Sequence, residues 1–147
     1  MTHRKPTVLF LCSANTCRSQ MAEAFLRLHS GNRFEVQSAG ITAGPEVHPL
    51  AVRVMAEKGI DISSRRPQSV REFLGQGRID HAVIVCQAAA EACPTFWPGA
   101  IERLVWPFPD PAAATGDEEA KLAVFRQVRD DIETRILDWL GTLPPAA

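Results

Sequence analysis

In Cys12-Ser-Ala-Asn-Thr-Cys-Arg18 a cysteine and an arginine are separated by five residues, with Ser19 next and opening a helix. On a strand-to-helix turn, such a segment can curl successive backbone N–H groups around a tetrahedral oxyanion. The helix N-terminus adds positive potential, and the guanidinium can bond two of the anion's oxygens. The same field favours a thiolate over a thiol. Cys12 is therefore a candidate nucleophile, and Ser13, Ala14, Asn15, Thr16, Cys17, Arg18 and Ser19 are candidate oxyanion ligands. Asn15 tolerates the left-handed backbone that turns N–H groups inward, and Ser19 can donate to the Cys12 sulfur. Spacing alone is weak: with four cysteines and 13 arginines in 147 residues, chance gives such a pair in about one sequence of three. Three further residues add to the pattern: Cys86 at the end of an apolar run, Cys93 seven positions on, and Asp110, fixed between Pro109 and Pro111 as a loop acid must be. An aspartate before proline is also a common turn starter.

The elements that must position these groups are legible as alternating strand and helix signals. Thr7-Val-Leu-Phe-Leu11 is a buried-strand run ending at the Cys12 loop, and Met21, Phe25 and Leu28 follow at helical spacing. Phe34–Ser38 alternates like a strand, and Leu50, Val54 and Met55 stripe a helix between Pro49 and Lys58. Ser69–Leu74 reads as a short helix, Ile79–Cys86 as a strand buried on both faces, Gln87–Ala92 as helix-permissive, and Ile101–Trp106 as a fourth strand. From Asp117 onward, Leu122, Phe125, Val128, Ile132, Ile136, Trp139 and Leu140 form one long apolar stripe. Strands alternating with helices predict an α/β domain: four parallel strands with helices on both faces, in the flavodoxin-like order 2-1-3-4. Ligands of open sheets sit beyond the carboxyl ends of the strands, at the switch point. Cys12, Cys86 and Asp110 all fall at that edge.

Composition bounds the reading. A chain of 147 residues that is 46% apolar suits one domain over 1–147, with 1–6 a flexible N-terminus. The net charge of −1 offers no field for nucleic acid or an anionic membrane, and no apolar stretch is long enough to span one. The expectation is a cytoplasmic monomer whose few cysteines are reduced chemistry rather than a disulfide framework. His3, His29, His48 and His81 form no spacing pattern and are assigned no function.

Phe10-Leu-Cys-Ser-Ala-Asn-Thr-Cys-Arg-Ser-Gln-Met-Ala-Glu23, Ser38-Ala-Gly40, Cys86, Cys93-Pro94 and Asp110-Pro-Ala112 resemble the thioredoxin-coupled arsenate reductases, from about Thr7 to the C-terminal helix. That family shares the low-molecular-weight protein tyrosine phosphatase fold. The resemblance implies that Cys12 attacks arsenate held by the loop and Arg18, with Asp110 as general acid and no cofactor. Cys86 then attacks Cys12, and Cys93 moves the disulfide out to a thioredoxin or a glutaredoxin-like reductant; phosphate and sulfate would compete with arsenate. Were Cys86 and Cys93 on one intact helix, their Cα atoms would be roughly 10.5 Å apart, beyond the roughly 7 Å limit for a disulfide, so pairing requires that the intervening segment unwind. Two departures stand out. Gln87-Ala88 follows Cys86 where the family pattern has Gly-Asp. Some members also bind a monovalent cation at positions corresponding to Asn15, Glu23 and Ser38, and the aspartate of that set is Gln68 here.

Two rival functions compete. A phosphomonoesterase would use Cys12, Arg18 and Asp110 alone; phosphotyrosine enzymes of this fold usually set aromatic walls, commonly tyrosine, beside the acid, and this chain has no Tyr. A structural zinc module is disfavoured because six residues separate Cys86 from Cys93, outside the usual two to four.

Overall fold

The computed structural model describes residues 5–73, 78–86 and 100–144. Strand β1, Thr7–Cys12, is the apolar run, and its residues Val8, Leu9, Phe10 and Leu11 are all fully buried, so both of its faces are covered. β2 (Glu35–Gly40), β3 (Ile79–Ile84) and β4 (Ala100–Val105) complete a four-stranded sheet of order β2-β1-β3-β4, every pair parallel. Pro6 already accepts a bond from the Glu35 N–H at 2.9 Å, so the β1–β2 register begins just before Thr7. The expected 2-1-3-4 order is the order found, and it puts the switch point between β1 and β3, where the Cys12 loop begins.

Helix α1, Arg18–Ser30, opens at the arginine that ends the Cys12 loop. Met21, Ala22, Phe25 and Leu26 form its buried face. Leu28, expected on that face, is 56% exposed: it lies within about 20° of the fully buried Met21 around the helix but two turns further on, in the last turn, where Arg27 and His29 are exposed as well. The Ser69–Leu74 helix is reduced to one 3₁₀ turn, Val70–Glu72, closed by a capping box between Ser69 and Glu72. β3 stops at Ile84, two residues short of Cys86, but Val85 N–H still bonds the Leu11 carbonyl at 2.9 Å. The sheet therefore continues to the edge of the site. The Gln87–Ala92 segment and Cys93 lie outside the described residues.

Helix α3, Glu118–Thr142, starts at an Asp117 cap and buries Leu122, Phe125, Val128, Ile132, Ile136 and Trp139. Trp139 meets Trp106 and Phe34 edge-on and stacked, and Phe10 of β1 touches Trp106, so α3 closes the core over one sheet face. Among the described residues no helix is long and apolar enough to cross a membrane.

Helix α2, Pro49–Ala56, is capped by His48, whose Nδ1 accepts the Leu50 N–H at 3.1 Å. The ring proton therefore sits on Nε2. Burial holds this histidine below its ordinary value of 6.5, against the nearby Asp110, which favours its charged form. Below the ordinary value the unfolded chain takes up the proton first, so the contribution to stability is complete above 6.5 and is lost as pH falls through the lower folded-state value. His48→Asn keeps a cap acceptor without the titration. The wild type is expected to lose thermal midpoint relative to this variant between about pH 7.5 and pH 5. Parallel profiles would exclude the effect.

Candidate active site

Cys12 closes β1 and Arg18 opens α1, so the loop between them spans the switch point. Asn15 takes φ 59°, among the described residues the one non-glycine position with positive φ. That turn aims its own N–H at the Cys12 sulfur, 3.0 Å away. The Ser19 hydroxyl lies 2.8 Å from the same sulfur.

The direction of the Ser19 bond follows from its neighbours. The Gln68 N–H can only donate, and it is 2.8 Å from Asn15 Oδ1, which also accepts from Gln20 Nε2 at 3.0 Å. Asn15 Nδ2 must then be the donor to Ser19 Oγ at 2.7 Å, which leaves the Ser19 hydrogen for the sulfur. Two donors thus converge on the sulfur of Cys12, which is itself buried, and can stabilise negative charge there. Ser19→Ala is expected to slow alkylation of Cys12 by iodoacetamide at neutral pH severalfold, since one hydrogen bond to the sulfur is lost. An unchanged rate would show that Ser19 does not serve Cys12.

Cys17 is different. Burial pushes its thiol up to about 12, which leaves it protonated and inert beside Cys12, in keeping with its reading as loop filling. Cys12 and Cys17 are both free, whereas Cys86, buried just beyond β3, is disulfide-bonded. β1 ends at Cys12 and Cys86 follows the end of neighbouring β3 by two residues, with Val85 N–H still bonded to Leu11; strands so paired run about 4.8 Å apart in a sheet.

Arg18 Nη1 donates to the Phe108 carbonyl at 3.0 Å and so ties the proline-rich loop to the anion loop. Asp110, two residues on, is half-buried and caps the Pro111–Ala113 turn by accepting from Ala112 N–H. Its charge is felt at both Cys17 and His48, so the acid stands beside the loop. The bond to Ala112 is the turn role that an aspartate before proline suggests.

Glu23 lies beneath the loop, almost wholly buried. Ser38 Oγ donates to its Oε1 at 2.6 Å, and Arg27 Nε and the Arg65 guanidinium bond its Oε2. Gln68 presents Nε2, a donor, to the Ser38 carbonyl at 3.2 Å. A monovalent cation is held by oxygen ligands, and a carboxylate already paired with guanidinium groups has little charge left to attract one. These residues do not fit one: two guanidinium groups already hold Glu23, and Gln68 offers a proton where an oxygen would be needed. Among the described residues no other group of three acidic, His or Cys side chains could hold a metal. Replacing potassium by choline at constant ionic strength is expected to leave steady-state turnover unchanged; activation by potassium would overturn this.

Arg65, Phe108 and His48 carry no sequence signal, because each acts through a contact across the fold: 42 positions for Arg65 to Glu23 and 90 for Arg18 to Phe108. The left-handed Asn15 and the Ser19–Cys12 contact, by contrast, lie within seven residues and were readable.

Residues 7–145 match the family of low molecular weight phosphotyrosine protein phosphatases. A protein named arsenate reductase from Halalkalibacterium halodurans is 46% identical over 138 residues, 94% of this chain and 97% of its own. A solved structure described as an arsenate reductase in the phosphate binding state superposes with TM-score 0.78 at 29% identity, covering 95% of this chain and 99% of that one. The thioredoxin-dependent arsenate reductase of Corynebacterium glutamicum matches with TM-score 0.71 at 27% identity, over 97% of this chain and 63% of that one. The chain belongs to the low molecular weight phosphotyrosine protein phosphatase family and is similar, over nearly its whole length, to proteins named arsenate reductase.

Proposed function

We propose that this protein reduces arsenate to arsenite with electrons from a protein dithiol. The observation that carries the reading is Cys86: a disulfide-bonded cysteine two residues past the strand next to the one that ends in Cys12, where a phosphomonoesterase has no use for one. Arsenate sits in the loop with Arg18 on two of its oxygens. The Cys12 thiolate attacks arsenic, and one arsenate oxygen leaves as water after Asp110 gives it a proton. Arsenic is still pentavalent in this adduct. Cys86 thiolate then attacks the Cys12 sulfur. The sulfur–arsenic bond breaks with its electron pair going to arsenic, which departs as arsenite, and a Cys12–Cys86 disulfide remains. Cys93 attacks Cys86, frees Cys12 and leaves a Cys86–Cys93 disulfide for the reductant. The names of the relatives support thioredoxin in that role; a glutaredoxin-like protein is the other candidate. Phosphate and sulfate, similar in shape and charge, compete for the loop. The protein acts as a monomer in the cytoplasm, where a reductant pool can reopen the Cys86 disulfide after each turnover.

The test is arsenate-dependent NADPH oxidation with thioredoxin and its reductase, run beside a glutathione and glutaredoxin system. Turnover with either supports reduction and names the partner. Hydrolysis of p-nitrophenyl phosphate without arsenate-dependent oxidation would sink it and favour a phosphomonoesterase built on Cys12, Arg18 and Asp110.

A further inference from the structure

Every carbonyl of the loop from Cys12 to Cys17 is bonded away from the anion position. Cys12 O accepts from Ile41 N–H (3.2 Å), Ser13 O from Thr42 N–H (3.0 Å), Ala14 O from Gly44 N–H (2.9 Å) and Thr16 O from His48 N–H (3.0 Å). Asn15 O accepts from Gln20 Nε2 at 3.2 Å and Cys17 O from Met21 N–H at 3.0 Å, within the helix. Four of the six anchors therefore come from one irregular stretch, Ile41–His48. A trans peptide is planar, with its C=O and the following N–H pointing in opposite directions. Pinning a carbonyl outward thus fixes the next N–H inward. Asn15 shows the result, since its N–H, which follows the pinned Ala14 carbonyl, reaches the Cys12 sulfur.

We propose that Ile41–His48 is the template that sets the amide orientation of the oxyanion loop, with Gly44 and His48 as its positioning residues, so that oxyanion affinity is governed from outside the loop. The proposal rests on the reading of this loop as an oxyanion site. Gly44 is where the template comes closest: a Cβ there would meet Thr16 Cγ2 at 2.6 Å. Gly40, just before the template, is equally constrained, because a Cβ would lie 2.8 Å from the backbone of Ser13, Ala14 and Asn15. The far end is latched by His48, whose backbone holds Thr16, whose ring caps α2, and whose face lies against Phe125 of α3 at 4.8 Å between centroids. The template is thereby fastened to the core rather than left as a surface loop.

The experiment uses inorganic phosphate as the probe, with binding measured calorimetrically. Gly44→Ala is expected to weaken phosphate roughly 10- to 100-fold by displacing the loop amides. The obstructing atom is one methyl group. Gly44→Ala/Thr16→Ser removes it while keeping the hydroxyl, and its affinity is expected to return to that of Thr16→Ser alone. A merely structural role for Gly44 would not produce this rescue. Hydrogen exchange on the wild type supplies a reading that needs no variant. Phosphate is expected to slow the Ile41, Thr42, Gly44 and His48 amides together with the inward amides of the loop. Gly44→Ala binding like the wild type, a double variant no better than Gly44→Ala, or template amides indifferent to phosphate would each overturn the proposal. A wild type that binds no phosphate overturns the oxyanion reading as well, so the two failures are distinguishable.

Discussion

Cys12→Ser is expected to abolish arsenate-dependent oxidation of the reductant, by roughly 10⁴-fold or more, while the thermal midpoint and phosphate binding stay near wild type. The physical reason is the difference between sulfur and oxygen in this setting. Two donors, Asn15 N–H and Ser19 O–H, can stabilise a thiolate, but they cannot make an alcohol ionise near neutral pH. Nor could a serine oxygen later exchange into a disulfide. Cys17, protonated up to about 12, cannot substitute from within the loop. The measurement is the coupled NADPH assay beside phosphate calorimetry. Residual turnover within tenfold of wild type would mean that the reaction does not pass through Cys12.

The second large effect concerns Cys86. Cys86→Ser is expected to stop multiple turnover altogether in an assay free of small thiols, because the Cys12–arsenic adduct then has no thiolate to take its sulfur. Cleavage of p-nitrophenyl phosphate, which needs only the loop and the acid, is expected to survive in the same variant. That split separates the two readings of the site. Loss of both activities would indicate that the buried Cys86 supports the strand end rather than the relay, and retention of both would remove it from the mechanism.

What the sequence disclosed depended on how far its signals reach. The four strands, the long C-terminal stripe and the anion loop were readable because each rests on neighbours within a turn or a few strand positions. Leu28 misled because periodicity gives the face of a helix but not how far along it the core extends: Met21, at nearly the same angle, is fully buried. The template over Ile41–His48 left no mark: it acts through backbone N–H groups, which every residue except proline possesses, and only the two glycines hint at close approach. The countercharge on Glu23 was equally hidden, since nothing in Arg65 distinguishes it from other arginines until the chain brings it across the fold.

The amide of Asn15 has a consequence for how this site can change. Its oxygen faces two donors and its nitrogen faces Ser19, so the two ends of one planar group have opposite polarity for opposite reasons. Aspartate is nearly the same shape and would keep the oxygen end intact. At the other end it would present a second acceptor, and the Ser19 hydroxyl would swing round to satisfy it, turning its proton away from the sulfur. The reactivity of Cys12 is therefore written partly in a single atom of another residue, and a substitution that packing would accept without protest reverses the sense of the whole chain of bonds.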